Sequence, residues 1–205
     1  MRIYLVRHGI SQSNMKSTYS EPGTLLAPNA RMELQVTKKH LQNISFDKVY
    51  TSDLIRTVQT AEILGYPDAI KESRLRERDF GVFVGNNHYQ AMQKYPTSYK
   101  KYMQDPVDYR IPRGESFHDL CDRVWDFLDE LTSRERNSKM PVDGFRPVPG
   151  DTSQVLLVTH FNVIASAFCW VIEDRYRGHH LVSDNGGIFL MDIRGPLKTL
   201  IVERR

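Results

Sequence analysis

Leu5-Val6-Arg7-His8-Gly9 opens the chain, and Leu157-Val158-Thr159-His160 repeats its pattern far downstream. Each histidine follows, by two residues, the last valine of an apolar run, residues 3–6 in one case and 155–158 in the other. Runs this short, apolar and rich in β-branched residues are those of strands buried on both faces of a parallel sheet. In open α/β sheets, ligands bind beyond the carboxyl ends of the strands. Two such strands lying side by side bring both imidazoles to one mouth, and Arg7 suits that mouth to an anion.

At 205 residues, 40% hydrophobic and 26% charged, the chain has the make-up of one globular domain, residues 1–205, or of one domain with a large insertion. The net charge of +3 is too small to imply nucleic acid, and Arg134, Arg136 and Lys139 are the nearest approach to a basic patch. No helix-turn-helix, RNA-binding or zinc-finger fingerprint is present. Too few apolar residues precede Arg7 for a signal peptide or a membrane span. Cys121 and Cys169 fall in helical segments, at no metal-site spacing. Read as buried free thiols, they point to a cytoplasmic protein; from the charge and the short apolar start, neither a nucleic-acid nor a membrane partner is expected.

Working outward from the two strands, the pattern alternates. A polar loop at 11–28 leads to a helix over 30–43, whose apolar face is read from Met32, Val36, Lys39 and Leu41. A strand at 48–51 and a helix at 53–64 follow, then an extended stretch at 70–80. Residues 86–104, rich in Tyr, Gln and Lys, read as helices broken at Pro96, and 106–113 as a loop. The longest helix spans about 115–136, with Phe117, Leu120, Val124, Phe127, Leu128 and Leu131 at helical spacing. A Pro- and Gly-bearing surface loop occupies 137–151, a helix 161–172, and final strands 187–193 and 198–203. The expected fold is α/β: a three-layer sandwich with a mainly parallel central sheet, helices on both faces and a small helical cap inserted at about 86–113.

Arg56 falls in the first turn of the helix after strand 48–51, behind a cap at Ser52 or Asp53. A cation there opposes the helix dipole, at a cost of about 0.3–1 kcal/mol. Alone, it reads equally as a solvated arginine. Beyond a third strand end, beside Arg7, His8 and His160, it reads as a second phosphate ligand, able to offer two parallel hydrogen bonds.

Five blocks, in order, carry a resemblance. Arg7-His8-Gly9 with Ser11 and Asn14 resembles the R-H-G-x-S-x-x-N opening of the histidine phosphatase superfamily, which includes the cofactor-dependent phosphoglycerate mutases. Ser52 to Thr57 with Gln59-Thr60-Ala61 is similar to its second arginine block, and Leu75-Arg76-Glu77-Arg78-Asp79-Phe80-Gly81, with Gly85, to the segment holding its acid. Gly114-Glu115-Ser116, Asp119 and Arg123 resemble its G-E-S block, and Val158-Thr159-His160 its second histidine.

The resemblance implies catalysis by His8, Glu77 and His160. His8 attacks phosphorus and becomes phosphohistidine; this needs a neutral ring whose other nitrogen donates to a backbone carbonyl. Arg7, Arg56 and His160 neutralise the phosphoryl oxygens, and Asn14 donates one more hydrogen bond. Ser11 is either a hydroxyl ligand or a turn residue. Glu77 protonates the leaving oxygen and then activates water, although spacing alone does not separate it from Asp79. No metal and no cofactor are implied. The chain departs from the pattern at Ile10, where an acidic residue is usual, and at Phe161, where glycine is usual. Its backbone N–H still leaves Phe161 a candidate substrate contact. The His179-His180 pair lacks a third ligand at metal-site spacing, and His88 and His118 read as structural.

The same first half-reaction serves a phosphatase and a mutase. The interval between Glu77 and His160 is short for a mutase, which favours hydrolysis of a small phosphorylated metabolite. The alternatives are a cofactor-dependent phosphoglycerate mutase and a non-catalytic phosphate sensor. The run Tyr109-Arg110-Ile111-Pro112-Arg113-Gly114-Glu115-Ser116 somewhat resembles the fructose-2,6-bisphosphatase branch, leaving Arg110 and Arg113 open as ligands of a second anion or as solvated loop arginines. The substrate aromatics are likewise open: Tyr89, Tyr95, Tyr99 and Tyr102 either stack on a ligand or pack on one another. Oligomeric state is not legible in the sequence.

Overall fold

The computed structural model describes residues 1–136 and 153–201, with backbone alone at 134–136, 179 and 180. The expected loop at 137–151, the patch of Arg134, Arg136 and Lys139, the side chains of His179 and His180 and the tail of the last strand lie outside what is described. Within it the chain runs β1 (Arg2–Arg7), α1 (Gln12–Met15), α2 (Ala30–Leu41), β2 (Lys48–Thr51), α3 (Ile55–Leu64), β3 (Ile70–Lys71), α4 (His88–Lys94), α5 (Pro96–Gln104), α6 (Phe117–Arg136), β4 (Gln154–Thr159), α7 (Phe161–Ile172), β5 (Ile188–Arg194) and β6 (Leu197–Ile201).

β1 and β4 pair in parallel from Arg2↔Gln154 to Arg7↔Thr159. β2 adds parallel to β4 and β3 to β2, while β5 lies antiparallel on the other edge of β1 and β6 on β5. The order is β3-β2-β4-β1-β5-β6, a mainly parallel six-stranded sheet within an α/β sandwich.

Strand residues alternate between faces, so each strand feeds two cores. Ile3, Leu5, Val155 and Leu157 pack with Leu120, Val124 and Leu128 of α6 and with Val163 and Ile164 of α7. Tyr4, Val6, Leu156 and Val158 face the other way, onto Leu34 and Leu41 of α2 and Ala61 and Leu64 of α3. Each fully buried Leu or Ile contributes about 1.5–3 kcal/mol of transfer free energy. Both faces are apolar because both carry helices, which is why these strands show no polar alternation.

α2 is rotated from its expected face. Ala30, Leu34, Thr37 and Leu41 are buried, whereas Met32 and Val36 are 74% and 49% exposed. The buried stripe includes a threonine because Thr37 Oγ1 donates to the Gly186 carbonyl at 2.7 Å. α6 begins at Phe117 rather than Glu115 because Ser116 and Asp119 close a box: Ser116 Oγ accepts Asp119 N–H, and Asp119 Oδ2 accepts Ser116 N–H. The 70–80 stretch is extended only in part. Its strand is two residues long, and a 3₁₀ turn at Ser73–Leu75 follows. Of the tyrosines in 86–104, Tyr95, Tyr99 and Tyr102 pack with Phe83, Phe80 and Ile111 in a separate cluster, and Tyr89 is exposed.

Gly81 and Gly114 join that cluster's two ends, backbone against backbone. A Cβ on Gly114 would stand 2.4 Å from the Asp79 carbonyl and 2.6 Å from Gly81 N. Gly81 itself has φ +50 and equally little room. Gly114→Ala is therefore expected to destabilise the protein by about 1–3 kcal/mol, as overpacking does. Urea unfolding should show a lowered midpoint with an unchanged slope.

Candidate active site

The register of three neighbouring strands sets the site. His8 N–H donates to the Thr159 carbonyl at 2.9 Å and Ser52 N–H to the Val158 carbonyl at 3.0 Å, so the ends of β1, β4 and β2 are level. His8 and His160 are thereby brought together just past their strands, with ring centroids 5.2 Å apart and planes at 63°. Both are buried, His8 at 3% and His160 at 0% exposure.

Each ring is oriented by one partner. His8 Nδ1 lies 2.7 Å from the Gly9 carbonyl; donation there leaves Nε2 carrying the lone pair. His160 Nε2 lies 3.0 Å from Ser52 Oγ, which also accepts Leu54 N–H at 3.3 Å. In the tautomer in which the Ser52 hydroxyl donates to Nε2, the ring proton is on Nδ1, the nitrogen without a partner among the described residues.

Arg7 and Arg56 stand against the pair. Arg56, 1% exposed in the first turn of α3, reaches the Glu21 carbonyl at 3.3 Å, and Arg7 donates to the Ser183 carbonyl. α3 is capped otherwise than expected: its N-cap is Leu54, without a side-chain bond, because Ser52 serves His160 and Asp53 pairs with Arg76 at 2.5 Å. Arg7 Nε, Arg56 Nε and His160 Nδ1 are all buried with no hydrogen-bond partner among the described residues. Burial, then the Arg56 and Arg7 charges, push the His8 imidazolium down to about 3; its bond to Gly9 opposes this. Burial and the same arginines, with His8, hold His160 well below the usual histidine range. Burial also lowers both arginines, and the Glu77 carboxylate opposes that shift in each. The site thus presents neutral imidazoles among cations.

Glu77 and Asp79 differ in surroundings. Glu77 Oε1 accepts Arg78 N–H at 2.9 Å and Asn162 N–H at 3.2 Å, at the start of α7 and two residues from His160. Asp79 Oδ1 turns to its own loop and accepts Gly81 N–H at 2.8 Å. Asn14 Oδ1 takes Ser11 N–H, the Ser11 hydroxyl and Asn185 Nδ2. Ser11 is the N-cap of α1, so its hydroxyl serves Asn14. The Phe161 ring lies under the Arg7 guanidinium, 5.4 Å from Cζ to centroid. The Ile10 carbonyl accepts Ala27 N–H at 2.9 Å.

Arg110 and Arg113 are exposed, and Arg110 pairs with Asp119 at 2.5 Å. His88 is held by the Tyr19 and Tyr99 hydroxyls, His118 by Asp108. Cys121 and Cys169 are free and buried. Among the described residues no group of three or more His, Cys, Asp or Glu could hold a metal ion, and no helix is long and apolar enough to cross a membrane.

Several supporting groups were absent from the sequence reading or were given no role of their own in it. The 183–187 loop wraps the end of β1: Asn185 Nδ2 donates to the His8 carbonyl, and Gly186 N–H to those of Arg7 and His8. Its Ser-Asp-Asn-Gly-Gly composition marks a turn, but not one that reaches a distant strand. Thr60 Oγ1 accepts Gly9 N–H while donating to the Arg56 carbonyl, tying the Arg7–Gly9 block to the start of α3. Arg123, held by Glu115, donates to the carbonyls of Arg74, Arg76 and Glu77. Arg78 donates to those of Pro106, Tyr109 and Glu115.

The chain belongs to the histidine phosphatase superfamily (branch 1), whose family model matches residues 3–201. Among curated relatives, human 6-phosphofructo-2-kinase/fructose-2,6-bisphosphatase 4 is 38% identical over 136 residues, and the chicken enzyme of that name 36% over 135. Each alignment covers 65% of this chain, and the chain spans 28% of those relatives' length. Among solved structures, the alpha-ribazole phosphatase from Shigella flexneri superposes with a TM-score of 0.83 at 26% identity, covering 98% of this chain and 95% of that one. A mycobacterial glucosyl-3-phosphoglycerate phosphatase, at 23% identity, has a TM-score of 0.76 over 98% of this chain and 97% of its own, a likeness of fold.

The two depressed histidines couple folding to pH. Unfolded, each ring takes a proton near pH 6.5; folded, His8 resists until about 3. The unfolded state therefore binds more protons between these limits, and stability falls as pH falls. The stability held by the neutral rings is whole above about pH 6.5 and is lost as pH drops towards 3. Each pH unit below 6.5 should cost up to about 1.4 kcal/mol per ring. Denaturant unfolding between pH 7 and 4 should show this slope, and His8→Asn should reduce it.

Proposed function

We propose that this chain is a phosphoric monoester hydrolase that passes the phosphoryl group of a small phosphorylated metabolite to His8 and then to water. The observation that carries the reading is the pair of buried neutral histidines, 5.2 Å apart, set beside the buried Arg56 and the half-buried Arg7. The phosphatase names of relatives and structural neighbours support it. Residues 1–205 act as one catalytic domain, with 86–113 as its cap.

His8 Nε2 attacks phosphorus as the bond to the leaving oxygen breaks, and Glu77, which takes a proton from the monoanionic ester as it binds, gives that proton to the leaving oxygen. The first alcohol departs, leaving phosphohistidine. Water then attacks the phosphoryl group, Glu77 takes its proton back, the P–N bond breaks, and His8 is restored. Arg7 and Arg56 hold the equatorial oxygens throughout. His160 donates to them from Nδ1, and Asn14, with Oδ1 occupied, donates from Nδ2. These groups are already desolvated and fixed, so little reorganisation accompanies the charge shift. Ser11 holds Asn14, and Phe161 holds the plane of Arg7. The substrate's positive environment comes from side chains, with no metal and no cofactor invoked, and the setting we assign is cytoplasmic.

Phosphate release from phosphomonoesters should vanish in His8→Ala. A brief acid-free quench with a radiolabelled ester should trap an acid-labile phosphoenzyme in the native chain and none in the variant. Glu77→Gln should lower kcat by about 10²–10⁴-fold, far more than Asp79→Asn. Phosphoryl exchange between glycerate positions without net release would instead identify a mutase, and ligand binding without either reaction a sensor.

A further inference from the structure

Of the proposed reacting groups, Arg56 and Glu77 line a cavity of about 310 Å³. That volume is at the low end for small-molecule sites, which run from about 300 to 1,000 Å³. The walls beyond Glu77 are apolar: Leu54 and Pro22, the Tyr19 ring, Phe80 and Val84. The Tyr19 hydroxyl is engaged by His88 Nδ1 at 3.1 Å. Thr18 and Ser20 add neutral polar surface.

Three further charged residues line the cavity, and each is already committed. Arg76 holds Asp53 through two bonds of 2.6 and 2.5 Å. Arg78, only 5% exposed, gives its donors to three backbone carbonyls and is covered by the Phe80 and Tyr102 rings. Asp79 accepts the Gly81 amide. Arg110 and Arg113 are not among the lining residues. A carboxylate or second phosphate on the leaving group would have to compete with Asp53 for Arg76 or with backbone carbonyls for Arg78, and a buried unpaired charge is strongly disfavoured.

We propose that this cavity receives the leaving alcohol and selects one that is uncharged, one or two rings in size and mostly apolar, over an alcohol bearing a second phosphate or a carboxylate. This rests on the hydrolase reading above and extends it to substrate class. Phosphate occupies the arginine–histidine end, the ester oxygen meets Glu77, and the rest of the alcohol lies along Leu54, Phe80 and Val84.

The test compares esters of primary alcohols, whose leaving groups are of similar basicity, so that intrinsic reactivity does not set the order: 2-phenylethyl phosphate, glycerol 3-phosphate, 3-phosphoglycerate and fructose 1,6-bisphosphate. The expected kcat/KM for 2-phenylethyl phosphate exceeds each of the others by at least about tenfold, the scale of a hydrophobic pocket's discrimination. Equal or faster hydrolysis of 3-phosphoglycerate or the bisphosphate overturns the proposal while leaving the hydrolase reading intact; loss of the bisphosphate activity in Arg113→Ala would show where the second anion sits. Hydrolysis of none of the four by wild type, with no phosphoenzyme formed, overturns both. In Leu54→Ser and Val84→Ser the margin over glycerol 3-phosphate should shrink several-fold, with competitive inhibition by inorganic phosphate reporting the phosphate end separately. A margin that survives both substitutions also overturns the proposal.

Discussion

Everything at this site depends on the parallel, in-register pairing of β1 with β4. Arg7 opposite Thr159 puts His8 and His160 at the same height on adjacent strands, and the backbone bond from His8 to Thr159 carries the ladder one residue past the regular sheet. A slip of one residue would exchange the faces of every side chain in the strand. Tyr4 and Val6 would then meet α6 and α7, and Ile3 and Leu5 would meet α2 and α3. The two cores are therefore what holds the two imidazoles in place. Packing several residues below the site sets its geometry to within a hydrogen bond.

That pairing places neutral rings beside the buried Arg56 and the half-buried Arg7, a costly arrangement by itself. Arg56 and Arg7 each face the desolvation of a charge, relieved in part by Glu77 and by carbonyls of Glu21 and Ser183. The same cations that resist a proton on His8 attract an anion. In the proposed reaction, substrate affinity and the nucleophile's neutrality thus come from one field.

Much of this was legible in the sequence because strand ends announce themselves. The apolar runs at 3–6 and 155–158, and the helix at 161–172, read directly from hydrophobic pattern, and the strand at 48–51 was found at its observed limits. Periodicity failed where a polar side chain is buried for a bond to a distant backbone. Thr37 bonds to Gly186 and turns α2 away from Met32 and Val36. It failed again at Ser52, which reads as a helix cap and instead serves His160 across the sheet. The clasp of Asn185 and Gly186 on His8 was also out of reach, since long-range bonds from a turn leave no local pattern.

Arg78 and Arg123 both read backbone carbonyls, one on the segment from 106 to 115 and the other on that from 74 to 77. A carbonyl is the same whatever residue bears it. The path of the chain around Glu77 is thus held by bonds indifferent to side-chain identity. The segments at 74–77 and 106–115 can exchange outward side chains without shifting the main chain that carries that carboxyl, a tolerance that a clamp of side chain on side chain would lack.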